Sequence, residues 1–93
     1  MKNDLTDFDI SQYLDKKEII AEYLTQVIEE GDMDELFLAI GNIAKAKGLS
    51  QIAKDTGLGR ESLYKTFKKG SKPRFDTVVK VLNSLGVHLK ASV

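Results

Sequence analysis

The chain has 93 residues, 42% of them apolar and 30% charged, which suffices for one compact core and falls short of a second domain. It holds no cysteine and one histidine, so disulfides, thiolate metal sites, cysteine nucleophiles and a zinc-binding histidine cluster are excluded. No apolar run approaches a membrane span and Met1-Lys2-Asn3-Asp4 does not open a signal peptide, so the expectation is a soluble cytoplasmic protein with no membrane contact.

The formal net charge of zero conceals an asymmetry. Residues 1–41 carry three lysines against eleven carboxylates, a net −8, and residues 42–93 carry eleven bases against three acids, a net +8. Halves of opposite sign suggest two partners, a polyanion for the basic half and a basic protein for the acidic one. The alternative is that the halves neutralise each other within the fold.

In chain order, Asp15-Lys16-Lys17-Glu18 reads as a capping box that starts a helix at Lys16. Its apolar positions Ile19, Ile20, Tyr23, Leu24, Val27 and Ile28 recur at the helical period, and Gly31 stops it. Asp32-Met33-Asp34-Glu35 is a second capping box, opening a helix whose expected buried face is Met33, Leu36, Phe37, Ile40, Ile43 and Ala44 and whose end is Gly48. Gly41 within it suits close packing. Two short segments follow: Ser50 as N-cap for Gln51 to Asp55, a turn at Thr56-Gly57-Leu58, then Gly59 leading into Arg60 to Lys68. Ser71-Lys72-Pro73 reads as a connector. Phe75, Val78, Val79, Leu82 and Leu85 describe another amphipathic helix ended by Gly86, and Val87, Leu89, Ala91 and Val93 alternate with polar residues as in a half-buried strand.

Leu49 to Phe67 has the spacing of a helix-turn-helix. Ala53 is small where the two helices face each other, Gly57 supplies the turn, and Ile52, Leu58, Leu63 and Phe67 close the angle between the helices, backed by Phe37, Ile40 and Val78 or Leu82. The outer face then displays Arg60, Glu61, Tyr64, Lys65 and Lys68, while Ser50 and Gln51 bring backbone N–H groups to a phosphate. An arginine at the start of a recognition helix matches guanine O6 and N7, and Glu61 accepts from cytosine N4, so these two are the expected base readers. Lys65 reaches a base edge or a phosphate. Lys68, Lys69, Lys72 and Arg74 follow as backbone contacts. A charged face on a short helix is most often simply solvated, and it is the combination with the +8 half and flanking helices that favours double-stranded DNA as a partner.

Beyond that spacing, Phe8-Asp9-Ile10-Ser11-Gln12-Tyr13-Leu14-Asp15, Tyr23-Leu24, Ile28-Glu29-Glu30-Gly31-Asp32, Ile43-Ala44-Lys45-Ala46-Lys47-Gly48 and Leu63-Tyr64-Lys65 resemble the HigA-type addiction-module antidote family, over about residues 8–90. The resemblance implies an antitoxin encoded beside a small RelE/ParE-like toxin, which it binds and neutralises, and a helix-turn-helix that represses the shared operon as a dimer. Where that family commonly has a Gly-Asn-Pro turn after the recognition helix, this chain has the longer and more basic Gly70-Ser71-Lys72-Pro73.

The expected fold is therefore all-α: one domain over residues 1–93, with about five helices of a λ-repressor-like helix-turn-helix domain. Acidic N-terminal helices (1–41) precede a DNA-binding core (42–86), and a strand (87–93) follows. Phe8, Ile10, Tyr13 and Leu14, ahead of the first capped helix, are the expected apolar anchors for a basic toxin. A homodimer is expected because one helix-turn-helix makes few contacts, with the tail pairing as an antiparallel strand or folding back on its own helices. No nucleophile elbow, glycine-rich phosphate loop or HExxH pair is present, so no catalytic residue, metal or cofactor is assigned and His88 reads as an exposed strand residue. Two other functions compete with the antitoxin: a stand-alone helix-turn-helix transcriptional regulator without a toxin partner, and a protein-binding adaptor with an inactive motif.

Overall fold

The computed structural model describes residues 16–68 and 70–91. Its regular structure is helical: α1 (Lys17–Glu30), α2 (Met33–Lys47), α3 (Leu49–Thr56), α4 (Arg60–Thr66) and α5 (Phe75–Ser84). Helix α1 packs on α2, α2 on α3, and α3 on both α4 and α5. No helix among the described residues is long and apolar enough to cross a membrane.

The helix boundaries follow local chemistry, with corrections. Helix α1 starts at Lys17 rather than Lys16, and its first turn is closed by the Lys16 carbonyl, which accepts from Ile19 and Ile20 N–H. Asp15, the expected cap, lies outside the described residues. At α2 the capping expectation holds in its forward half, where Asp32 Oδ1 accepts from Glu35 N–H at 3.2 Å. Helix α3 begins two residues earlier than expected, with Gly48 and not Ser50 at the N-cap position; the Gly48 carbonyl accepts from both Gln51 and Ile52 N–H. Helix α4 ends at Thr66, so Lys68 lies beyond it.

Sixteen apolar residues form one core, and no polar or charged residue among those described is buried. Ile20, Ile40, Ile43, Ile52, Val81 and Leu85 are its largest fully enclosed side chains. The expected clasp of Ile52, Leu63 and Phe67 is buried with Ile40, Val78 and Leu82, and Phe37, Ala53 and Leu58 pack against it from the edge. Three residues expected inside lie outside: Ile28, Met33 and Phe75, the last 73% exposed. Each sits in the first or last turn of its helix. Val81, absent from the expected stripe of α5, is fully buried, because the face that meets the core runs through Val78, Val81, Leu82 and Leu85.

The expected C-terminal strand is not formed in residues 87–91. The reason is the end of α5. Gly86 adopts φ +83°, its N–H donates to the Asn83 carbonyl at 3.0 Å, and Val87 N–H donates to the Leu82 carbonyl at 2.9 Å. This pair of bonds is a Schellman cap, which buries Val87 beside Leu82 and uses the N–H that a ladder would need. Among the described residues there is also no second strand for the tail to pair with. His88 is exposed as expected, its Nδ1 within 2.8 Å of Asn83 Oδ1.

Candidate nucleic-acid interface

Helices α3 and α4 are joined by Gly57-Leu58-Gly59. Gly57 takes φ +77°, a conformation that costs any L side chain free energy, and its N–H donates to the Ala53 carbonyl at 2.9 Å. Thr56 Oγ1 donates to the Ile52 carbonyl (2.8 Å) and accepts from Leu58 N–H (3.2 Å), so one hydroxyl both ends α3 and aims the chain at α4. Behind the turn, Gly41 of α2 meets Phe67 so closely that a Cβ at this position would stand 2.9 Å from Phe67 Cβ. This contact brings α2 directly against the residue that ends α4.

With Leu63 and Phe67 turned inward, α4 leaves Arg60, Glu61, Tyr64 and Lys65 exposed. Two adjoining depressions gather them. Leu49, Arg60, Glu61, Tyr64 and Lys65 line one, and Lys45, Gly48, Leu49, Ser50, Arg60 and Tyr64 the other. Five of the ten residues expected at DNA therefore share one face: Ser50, Arg60, Glu61, Tyr64 and Lys65. Gln51 is used within α3, where its side-chain amide donates to Asp55 Oδ1 at 2.8 Å and its backbone N–H to Gly48. Its expected offer of a free N–H is thereby withdrawn. Lys68 is exposed just beyond α4; Lys72 and Arg74 are exposed on the connector and line neither depression. Arg74 Nε lies 3.3 Å from Asp76 Oδ1, an ion pair open to solvent and therefore weak. Lys69 and the anchors Phe8, Ile10, Tyr13 and Leu14 lie outside the described residues.

Lys45 is the residue that sequence reasoning passed over. It stands in the last turn of α2, where a base is expected simply from the helix dipole. Its ammonium instead reaches across to α4 and lies 4.9 Å from the centre of the Tyr64 ring, and that of Lys68 lies 5.5 Å from the same ring.

One side-chain hydrogen bond among the described residues joins the acidic half to the basic one. Asp34 Oδ1 accepts from Gly70 N–H at 3.3 Å, just before the basic connector. Among the described residues no carboxylate forms an ion pair with Arg60, Lys65, Lys68 or Lys72. Ion pairing between the described parts of the two halves therefore does not occupy this face. Among the described residues no group of His, Asp and Glu is placed to hold a metal ion.

Residues 4–93 match the model of the family described as "probable addiction module antidote protein". The chain belongs to this antidote family. It is also 38% identical to an uncharacterized protein of Haemophilus influenzae over 90 residues, 97% of this chain and 93% of the relative. No solved structure matches it. An antidote has a toxin as its counterpart, so a toxin partner comes with membership.

Proposed function

We propose that this antidote is of the HigA type, that it neutralises a RelE/ParE-like toxin, and that it represses its own operon as a dimer through a helix-turn-helix formed by α3 and α4. The observation that carries the DNA-binding part is the single exposed face of Ser50, Arg60, Glu61, Tyr64 and Lys65, held by a glycine turn and, among the described residues, without an ion-paired carboxylate from another element. On this reading α4 is the recognition helix. Arg60, its first residue, forks onto guanine O6 and N7, and Glu61 accepts from cytosine N4. Lys65 serves a base or a phosphate, and Ser50 with Lys68, Lys69, Lys72 and Arg74 holds the phosphates that set the register.

The toxin side rests on charge and on the family. A net −8 over residues 1–41 complements a basic toxin and speeds encounter, while Phe8, Ile10, Tyr13 and Leu14 supply apolar anchors. The protein then acts by binding alone, without catalysis. The dimer follows from DNA geometry, since two-fold proteins read half-sites about 34–36 Å apart.

Two measurements test the reading together. Mobility shifts on the DNA upstream of the chain's own gene should show sequence-selective binding that weakens steeply with salt, with a two-subunit stoichiometry. Co-expression with the product of the adjacent reading frame should yield a complex and relieve growth arrest. Binding to random duplex as tight as to the upstream DNA would refute operator recognition, and an adjacent product that neither binds nor arrests growth would refute the toxin pairing.

A further inference from the structure

We propose that Lys45 of α2, Lys68 and Tyr64 form a clamp for the phosphate backbone of the duplex, so that the nucleic-acid interface extends off the two short helices onto α2. The proposal rests on the DNA-binding reading above and adds a site to it.

Both ammoniums gather on one aromatic ring, at 4.9 and 5.5 Å from its centre, which places them no more than about 10.4 Å apart. Neither forms an ion pair with a carboxylate among the described residues. Two like charges held together without a counter-ion repel each other, and an anion between or beside them removes that repulsion. The ring supplies the reason they stay: its negative face attracts each cation, and it fixes two otherwise freely rotating side chains in the direction of the groove. Fixed cations lose less entropy on binding than free ones.

The groove is largely apolar, and its two ammoniums are what select an anion. Between α2 and α4 runs an open groove of about 320 Å³ to which Leu38, Asn42, Lys45, Tyr64 and Lys68 contribute. Lys45 and Tyr64 also line the depression that holds Ser50 and Arg60. A strand lying on Arg60 is thus continuous with the clamp. The phosphates of one strand follow each other at about 3.4 Å of helix axis, so two lysines no more than about 10.4 Å apart are close enough to engage neighbouring phosphates of one strand.

Salt dependence isolates the claim. Anisotropy titrations of wild type, Lys45→Ala, Lys68→Ala and Lys80→Ala against the upstream duplex give log affinity against log salt. Lys80 is an exposed lysine of α5 in a separate depression with Asp55 and Ser84, so its removal changes the net charge equally. Each clamp lysine removed should lower the slope by about 0.9, shrinking the affinity lost between 50 and 200 mM salt by a factor of about 3.5, while Lys80→Ala leaves the slope unchanged. Tyr64→Phe keeps the ring and should keep the slope; Tyr64→Leu should lower it although both lysines remain, which a general charge effect would not do. Slopes for Lys45→Ala and Lys80→Ala that agree would overturn the clamp and leave the DNA-binding reading standing. A wild-type chain that binds no duplex would overturn both.

Discussion

Gly41→Ala is the substitution most sharply determined by the packing. The added Cβ would stand 2.9 Å from Phe67 Cβ and 3.1 Å from the Phe67 carbonyl oxygen. Both are atoms on or next to the backbone and cannot swing aside as the tip of a long side chain would, so α2 and α4 must separate. Alanine in place of glycine inside a helix returns about 1 kcal/mol. Overpacking a close contact costs about 1–3 kcal/mol, so the expected net loss is about 1 kcal/mol. For a domain of this size that lowers Tm by about 4–8 °C. The adjoining exposed position calibrates the first quantity: Asn42→Ala and Asn42→Gly differ by helix propensity without the contact. Circular-dichroism melts of the three variants and wild type give the comparison. A Gly41→Ala protein that melts at or above wild type, by the margin that separates the Asn42 pair, would show that α2 and α4 part at no cost and refute the reasoning. Since Gly41 and Phe67 line the same groove as Lys45 and Tyr64, the variant should also bind the upstream duplex less tightly at temperatures where it is fully folded.

Three further outcomes are expected. Arg60→Ala should cost about 1–3 kcal/mol of operator affinity and relax preference at one base pair, whereas Lys72→Ala should weaken all duplexes alike; mobility shifts on operator variants over a salt series separate the two. Burial, with Glu35 and Glu30 adding to it, pushes the Tyr23 phenol above its ordinary pKa. The fold thus favours the neutral phenol, so its contribution is fully present below pH about 10 and is lost as pH rises through the folded-state value; Tyr23→Phe should flatten this alkaline fall in Tm. Removing Met1 to Leu14 should weaken toxin neutralisation and leave operator binding nearly intact, as read by growth rescue and mobility shift side by side. Full neutralisation by the shortened chain would reject Phe8, Ile10, Tyr13 and Leu14 as anchors, and tighter DNA binding would show instead that this segment masks the basic face.

Much of this molecule could be read in one dimension, because the signals concerned are local. Asp32 caps α2 through a bond three residues away, Gly31, Gly57 and Gly86 end helices by their own backbone conformation, and the 3.6 period places Ile20, Leu24, Ile40, Ile52 and Leu82 inward whatever they pack against. The exposed face of Arg60, Glu61, Tyr64 and Lys65 was legible for the same reason: once Leu63 and Phe67 point inward, helical geometry leaves these outside.

What tertiary structure alone decided concerns where one element ends against another. Met33 and Phe75 obey the period and are exposed, each at the first position of its helix. The alternation of the tail is that of a strand, but a strand needs a partner, and the Schellman cap instead turns Val87 onto Leu82 and spends its N–H there. Ser50 and Gln51 look alike as heads of a helix until Gly48 takes the cap and Asp55 takes the Gln51 amide. Lys45 is one more basic residue near a helix end in sequence, nineteen positions before Tyr64. Only the fold, in which Gly41 of α2 meets Phe67 just past α4, brings its ammonium onto that ring, because charge can be counted along a chain while its direction is set by packing.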